Sequence, residues 1–389
     1  MKHVGIIGVG RSTNIGDQLI AQCLGCTVAE VQPNCKIEYF DLYDGPYDVD
    51  FHHAEVSLDS YKENKAIKNV LYFPRALKLL VKDYLGSRVY DKRIRDFVLD
   101  KDIVIIGGGH LLIDNYSSFA LKLRRVLLAC KTVNARTVFW SVGVGQDFSF
   151  FWRLLLKRLL LKVKIYTRDT KSAIALRGLL GTNIEVVLDP GFFSDCLSQL
   201  PAFSPRKEAS RNKAFIFIMD PYEAFRHSGI YVKREDVAKW WIEIIDRLAC
   251  IFDEILISNN GSMSDYSFIK HYIEAQYTHE KVAYAQRTLS SRGLVEQIRT
   301  ADFVIAQRLH AVIPSVAHGK QVLAVRWDLK LETILSDLGE DNRLISFLED
   351  PDAVREKVEL LLRHGGAYPR LVHAKNCYVA NLEKALGEK

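Results

Sequence analysis

The stretch Val4-Gly-Ile-Ile-Gly-Val-Gly-Arg-Ser-Thr-Asn-Ile-Gly-Asp17 indicates the fold. Its apolar run, Val4–Val9, is typical of a buried strand, and the amphipathic stretch that follows, Asp17–Val31, is typical of a helix. Glycines in the turn between them let the backbone approach a ligand closely. A buried strand that leads through a glycine turn into a helix predicts a parallel α/β sheet.

The alternation of strands and helices continues along the chain and restarts after a break in composition. The break, Ser194–Lys213, contains Pro201 and Pro205 and is typical of an interdomain linker. The sequence therefore predicts an α/β fold of two doubly wound, Rossmann-like domains that face each other across a cleft. We expect an N-terminal domain at 1–195, a linker at 196–213, a C-terminal domain at 214–364 and a helical tail at 365–389.

Composition and charge exclude several classes of protein. Of the 389 residues, 48% are hydrophobic and 26% are charged, which excludes a disordered or fibrous chain. The net charge of +6 is too small to indicate nucleic-acid binding, but it favours an anionic small molecule or a lipid surface as partner. Seven cysteines without regular spacing are typical of a reducing compartment. Since the sequence contains no recognisable leader and no membrane-spanning run, we expect a cytoplasmic protein, with peripheral contact to the inner membrane face left open.

The first glycine turn begins like a dinucleotide-binding fingerprint. Gly8 and Gly10 follow the strand, but Thr13 stands where the third glycine belongs, so support for a nicotinamide site is weak. The helix that opens at Asp17 offers backbone N–H donors to an anion. Alternatively, Asp17 caps this helix and the glycines serve only the turn. Both interpretations stay open at this point.

The second turn contains three consecutive glycines, Gly107-Gly108-Gly109, and then His110 and Asp114. A tight turn seldom needs more than one glycine, so this run favours close approach to a ligand or to the facing domain. His110 is either a second acid or base or a structural hydrogen-bonding residue. Asp114 either orients a hydroxyl group or begins the next helix.

Two more turns follow strands in the N-terminal half. Asp169 precedes helix-favouring residues and is typical of an N-cap, whereas Arg168 has no such local role and is expected to project into the cleft. The sequence Leu188-Asp189-Pro190-Gly191 is primarily typical of a turn.

The turn that indicates function most clearly is Gln307-Arg308-Leu309-His310. It lies between an apolar strand, Phe303–Ala306, and an apolar helix. Arg308 can offer a planar pair of donors to a carboxylate or phosphate. His310 titrates near neutral pH and can transfer a proton. The alternative is an arginine that bridges the domains and a histidine packed under the helix.

Taken in order, these turns resemble the polysaccharide pyruvyl transferase family from about Gly5 to Asp328. The matching segments are Asn14-Ile-Gly16-Asp17, Gly107-Gly108-Gly109 with Asp114, Ser141-Val-Gly143-Val-Gly145, Arg168-Asp169 with Ser172, Leu188-Asp189-Pro190-Gly191 and Arg308-Leu309-His310. The resemblance implies a fold similar to the GT-B glycosyltransferase architecture. It also implies an enzyme that takes phosphoenolpyruvate as donor, sets pyruvate as a cyclic ketal across two sugar hydroxyls and releases phosphate.

The resemblance also assigns roles. Arg308 and the backbone of Leu309 would hold phosphoenolpyruvate, His310 would act as general acid, and Arg168 would be the second donor-binding arginine, from the opposite domain. Asp114 is a further catalytic candidate, and the substrate-binding candidates in the glycine turns are Asn14, Asp17, Gly108 and Gly109. We expect neither a cofactor nor a metal site.

Acceptors in such a family are sugars, oligosaccharides or lipid-linked saccharides of surface polysaccharide biosynthesis. The stretch Phe148–Lys164 has five basic residues and no acidic one, and it either lies on an anionic leaflet or is a core helix with a solvated basic face. Two alternatives to the pyruvyl transferase reaction stay open. One is a GT-B-like glycosyltransferase that uses a nucleotide sugar, and the other is a glycan-binding relative without catalysis.

Overall fold

A computed structural model describes most of the chain as two sheets flanked by helices. The described residues are 1–50, 88–113, 117–145, 148, 150–161, 163–198, 212–228, 231–365 and 368–387. Asp114 and residues 199–211 of the expected linker lie outside them.

The first sheet has seven strands in the order β3-β2-β1-β4-β5-β6-β7. These strands are β1 Lys2–Gly8, β2 Cys35–Asp41, β3 Gly45–Tyr47, β4 Ile103–Gly107, β5 Arg136–Val142, β6 Lys164–Thr167 and β7 Glu185–Val186. All neighbouring pairs are parallel except β2 and β3. The antiparallel edge strand β3 was not predicted, because three residues are too few to give a periodic signal.

The second sheet has six strands in the order β10-β9-β8-β11-β12-β13, and every pair is parallel. These strands are β8 Lys213–Phe217, β9 Glu254–Ser258, β10 Val282–Tyr284, β11 Phe303–Ala306, β12 Gln321–Arg326 and β13 Leu344–Ser346. The prediction of two doubly wound α/β domains is confirmed.

Helices cover both faces of each sheet. In the N-terminal half they are α1 Ile15–Val31, α2 at 88–98, α3 Ser117–Thr132, α4 Phe150–Leu160 and α5 Thr170–Leu180. The remaining helices are α6 Pro221–Ser228, α7 Arg234–Leu248, α8 Met263–Phe268, α9 Ser291–Arg299, α10 Leu309–Ala317, α11 Leu329–Asp337, α12 Pro351–His364 and α13 Pro369–Gly387. Short 3₁₀ segments occupy Pro190–Ser198 and Asp341–Arg343, and a π-helical segment, Ile269–Glu274, follows α8. The turn expected at Pro190-Gly191 therefore continues as a 3₁₀ helix.

One hydrophobic cluster connects the two sheets. It contains Ile105 of β4 and Val304 of β11, and it includes residues of the carboxyl-terminal helix α13. Tyr378 of α13 is fully buried, and its ring lies 5.1 Å from the ring of Trp140 and 4.5 Å from that of Phe193. The last helix therefore packs against the N-terminal domain, although it follows the C-terminal sheet in sequence.

Both sheets change winding direction at an internal pair of strands. In the first sheet this switch point lies between β1 and β4, and in the second it lies between β8 and β11. The turns that leave neighbouring strands at a switch point diverge, and this opens a crevice at the carboxyl ends of the strands. The turns around Gly8–Asp17, Gly107–His110 and Gln307–His310 all leave from these four strands.

Candidate functional site

A cavity of about 450 Å³ lies between the two domains, where the switch points of the two sheets face each other. Of the predicted site residues, the N-terminal domain contributes Asn14, Asp17, Gly109 and Arg168, and the C-terminal domain contributes Arg308, Leu309 and His310. The structure thus brings together residues that are up to about 300 positions apart in sequence. Asp114 lies outside the described residues, so its expected role stays a prediction.

Arg308 lines the cavity at the start of α10 and is held from behind by a buried carboxylate. Its Nε donates to Oδ2 of Asp265 at 2.9 Å, and its Nη2 donates to Oδ1 at 2.8 Å. Asp265 is fully buried in α8. Burial lowers the pKa of Arg308, but the charge of Asp265 outweighs this and the net pKa is raised. The guanidinium is therefore a fixed cation, and it pairs within its own domain instead of bridging the two.

His310 lies in contact with the opposite domain. Its imidazole packs against the backbone of Gly16 in α1, where an added Cβ would overlap the ring. Its Nε2 lies 3.7 Å from Oδ2 of Asp189, a fully buried residue three positions after the end of β7. Burial raises the pKa of Asp189, but the neighbouring His310 and Arg168 outweigh this effect and lower the net pKa. Asp189 on one side and Gly16 on the other therefore fix the position of the His310 ring.

Arg168 approaches the same carboxylate from the turn after β6. Its Nη1 lies 3.7 Å from Asp189 Oδ2, and its Nε lies 3.4 Å from Asp169 Oδ2. The guanidinium lies over Gly143, where a side chain would crowd it. Asp169 is the N-cap of α5 through Ser172, as its sequence context predicted. Only 3% of the Arg168 side chain is exposed, so this cation lies in the wall of the cavity instead of projecting freely.

Lys330 is a third cation of the cavity and was not predicted from sequence. It lies in the first turn of α11, with Nζ 3.4 Å from Oδ2 of Asp328. Burial lowers the pKa of Lys330, Asp328 opposes this, and the charges of Arg168 and Arg308 lower it further. The sequence signal for Lys330 was its position just after β12, the neighbour of β11, on the same edge as the other turns.

Polar residues of the turn after β1 line the cavity, among them Asn14 and Asp17. Asn14, not Asp17, caps α1, since its side chain accepts from the backbone N–H of Gly16. The interpretation of Asp17 as the cap is therefore wrong. Asp17 faces the cavity, where burial raises its pKa while the charges of His310 and Arg168 oppose the rise.

The two glycines that follow β4 serve different purposes. Gly108 and Gly109 have φ values of +68° and +74°, which favour glycine. Gly108 packs against Ile20 of α1 and does not line the cavity, whereas Gly109 does and lies beside the Asp17 carboxylate. His110 also lines the cavity and contacts Gly143.

Two aromatic side chains complete the cavity wall. Tyr43 is 46% exposed, and Trp327 is half-buried with its Nε1 donating to the backbone oxygen of Gln307 at 2.7 Å. Aromatic rings that are fixed at the edge of a polar cavity can pack against the apolar faces of a sugar. Neither residue stood out in the sequence, because each lies in a loop without a recognisable motif.

The described residues contain neither a metal-binding cluster nor a membrane-spanning helix. No group of three or more His, Cys, Asp or Glu in this part of the chain is arranged to hold a metal ion. None of the described helices combines the length and apolarity that a membrane span requires.

The opposed Rossmann-like sheets and the cationic cavity between them define a two-domain protein of the GT-B type. A putative UDP-N-acetylglucosamine 2-epimerase from Listeria monocytogenes has a TM-score of 0.59 at 11% identity, over 100% of this chain and 97% of that one. The UDP-GlcNAc 2-epimerase from Neisseria meningitidis, solved with UDP-GlcNAc bound, has a TM-score of 0.54 at 12% identity, over 99% and 100% of the two chains. A trehalose-6-phosphate synthase has a TM-score of 0.52 at 13% identity, over 98% and 96%. These likenesses establish the GT-B-like fold.

Within this class of fold, the sequence identifies the family. The family model for polysaccharide pyruvyl transferase matches residues 14–328, and the chain belongs to this family. The matched range contains every residue named above as lining the cavity except Lys330. A search of curated proteins gave no match. Family membership supports a transferase of polysaccharide biosynthesis.

Proposed function

We propose that the protein transfers pyruvate from phosphoenolpyruvate to two hydroxyl groups of a saccharide, forming a cyclic ketal and releasing phosphate. The observation that carries this proposal is the convergence of Arg168, Arg308, Lys330 and His310 on one cavity. Phosphoenolpyruvate carries a carboxylate and a phosphate, nearly three negative charges, and such a ligand needs several cations once water is excluded.

The donor would lie between the domains. Arg308 and Lys330 approach from the C-terminal domain and Arg168 from the N-terminal domain. The lowered pKa of Lys330 reflects burial beside two arginines, and a bound trianion would relieve this repulsion. Because cations from both domains would contact one ligand, donor binding would also draw the cleft closed and exclude water.

His310 would supply the proton that starts the reaction. With Nε2 directed at Asp189, the opposite nitrogen, Nδ1, would protonate the methylene carbon of the donor. The adjacent carbon then becomes electrophilic, and a sugar hydroxyl attacks it. Attack by the second hydroxyl breaks the bond to the phosphate and closes the ketal. One hydroxyl proton restores the acid, and the other leaves with phosphate as hydrogen phosphate.

Asp17 is our candidate for the base that accepts one hydroxyl proton and passes it to the departing phosphate. It faces the cavity from the domain opposite His310, and its raised pKa increases its basicity. The acceptor would approach along the N-terminal side, past Asn14, Gly109 and the aromatic rings of Tyr43 and Trp327. We propose a sugar, an oligosaccharide or a lipid-linked saccharide as acceptor and a cytoplasmic location for the reaction.

Donor binding separates this proposal from a nucleotide-sugar transferase. We expect phosphoenolpyruvate, and not UDP-GlcNAc, to raise the melting temperature of the protein. Arg308→Gln is expected to lose most of this shift. The matched control is Arg247→Gln, which removes a similar two-point ion pair, with Asp352, on the far side of the C-terminal domain. Stabilisation by UDP-GlcNAc alone would favour the glycosyltransferase alternative, and glycan binding without phosphate release would favour a non-catalytic relative.

A further inference from the structure

Positive charge is concentrated in one continuous part of the chain. Residues 117–184 contain thirteen Lys and Arg against two Asp and no Glu, whereas the whole chain has a net charge of only +6. This segment is therefore more positive than the complete protein, and the remainder is net negative. Among the basic residues of this segment that the structure describes, Arg168 alone lines the cavity between the domains.

Besides strands β5 and β6, this segment contains three helices that lie side by side on the outer face of the first sheet. Helices α3, α4 and α5 contain no acidic residue, and α4 contacts both neighbours. Their apolar sides form a cluster on the sheet, separate from the cluster that joins the two domains. The exposed basic residues of this outer face, which we call the basic face, are Arg124, Lys131, Arg153, Lys157, Arg158 and Arg177.

Apolar side chains stand exposed among these cations. Leu154 is 61% exposed, Leu161 just after α4 is 54% exposed, and Ile174 of α5 is 59% exposed. Along α4, Leu154, Lys157, Arg158 and Leu161 follow the i, i+3, i+4, i+7 spacing of a single helix side. The other side of α4 already fills the core through Trp152, Leu156 and Leu160, so the exposed leucines are not needed for packing within the chain.

We propose that the basic face binds an anionic lipid surface. Exposed leucines flanked by Lys and Arg suit the boundary between acyl chains and negatively charged headgroups. Each of these helices begins at the carboxyl edge of the sheet, the edge that borders the cavity, and α5 starts two residues after Arg168. Docking on the basic face would therefore place the edge of the sheet that borders the cavity beside the lipid surface. In combination with the proposed function, this arrangement suits a lipid-linked acceptor.

Vesicle co-sedimentation of the full-length protein tests this inference. We expect binding to vesicles of phosphatidylcholine with 30% phosphatidylglycerol, weak binding to pure phosphatidylcholine, and release by high salt. The triple variant Arg153→Gln/Lys157→Gln/Arg158→Gln should bind about a hundredfold more weakly, since each basic residue near an anionic leaflet contributes about 1 kcal/mol. The matched triple Lys233→Gln/Lys239→Gln/Arg299→Gln removes three exposed cations of the C-terminal domain and should bind like the unmodified protein.

A pair of single substitutions tests the contribution of the exposed leucines to vesicle binding. Leu154→Ser should weaken vesicle binding about tenfold, because partial burial of one leucine is worth about 1.5 kcal/mol. Leu360→Ser on α12, whose side chain is 54% exposed, should leave it unchanged. Equal losses in both triple variants, or equal binding to neutral and anionic vesicles, would overturn the inference. So would binding to a soluble polyanion such as polyglutamate without any binding to vesicles. None of these measurements uses phosphoenolpyruvate, so the inference fails or stands separately from the proposed function.

Discussion

His310 and Asp17 come from opposite domains and are positioned by residues around them. Asp189 lies 3.7 Å from Nε2 of His310, and Gly16 leaves the space that the imidazole occupies. Asp17, one residue further along α1, faces the cavity with a raised pKa. An acid and a base that face one cavity from opposite domains are suited to paired proton transfers.

Replacement of His310 should affect turnover far more than donor binding. We expect His310→Gln to lower the rate of phosphate release by about 10²–10⁴-fold, because a positioned general acid contributes about this much. The melting-temperature shift caused by phosphoenolpyruvate should be retained. The control is His271→Gln, an exposed histidine of the same domain that bonds to Ser267. Normal phosphate release by His310→Gln would remove His310 from the mechanism.

Asp17→Asn should stabilise the protein and inactivate it. Burial raises the pKa of Asp17 above its ordinary value of 3.8, so the folded state disfavours the carboxylate at neutral pH. Asparagine removes this unfavourable charge, and the free energy of unfolding at pH 7 should increase. The gain should vanish as the pH falls below about 3.8, where the aspartic acid is protonated in both the folded and unfolded states. Urea denaturation against pH measures this difference, and a loss of stability at pH 7 would contradict it.

The functional turns were predictable because they follow parallel strands. The apolar runs Val4–Val9 and Phe303–Ala306 identify two strands, and the glycines and the Arg-Leu-His element lie directly after them. Asp265 was not predictable, because it lies inside a short helix and matters only through Arg308, a partner distant in sequence. Lys330 was missed because no recognisable motif marks the turn after β12. Asp189 was visible at a strand end, but Pro190 and Gly191 made a plain turn the simpler interpretation.

The position of His310 depends on the close contact between Gly16 of α1 and the His310 ring of α10. Gly16→Ala should displace the His310 ring, since the new Cβ would overlap it, and we expect at least a tenfold loss of turnover in a folded protein. Gly178→Ala is the matched control, because Gly178 lies in helix α5 with no atom within 4 Å of the added Cβ among the described residues. Circular dichroism and phosphate release should both be measured. Full activity of Gly16→Ala would contradict the position of His310 against α1.

At the scale of the whole molecule, the two domains are joined by more than the cavity. Besides the shared hydrophobic cluster, the backbone N–H of Ile15 donates to Asn260, and that of Ser291 donates to Gln18. At the other side of the cleft, Thr170 at the start of α5 bonds to Asp337 of α11 through its N–H and its hydroxyl. These contacts join the two domains around the cavity, and no periodicity within a single domain could have revealed them.

Mass spectrometry of saccharides after incubation with the protein and phosphoenolpyruvate tests the central claim most directly. A panel of free and lipid-linked saccharides should include one that gains the mass of pyruvate less one water, with one phosphate released per ketal. His310→Gln should abolish the gain, while His271→Gln should preserve it. If no saccharide gains this mass, or if the gain requires a nucleotide sugar instead of phosphoenolpyruvate, the proposed reaction is wrong.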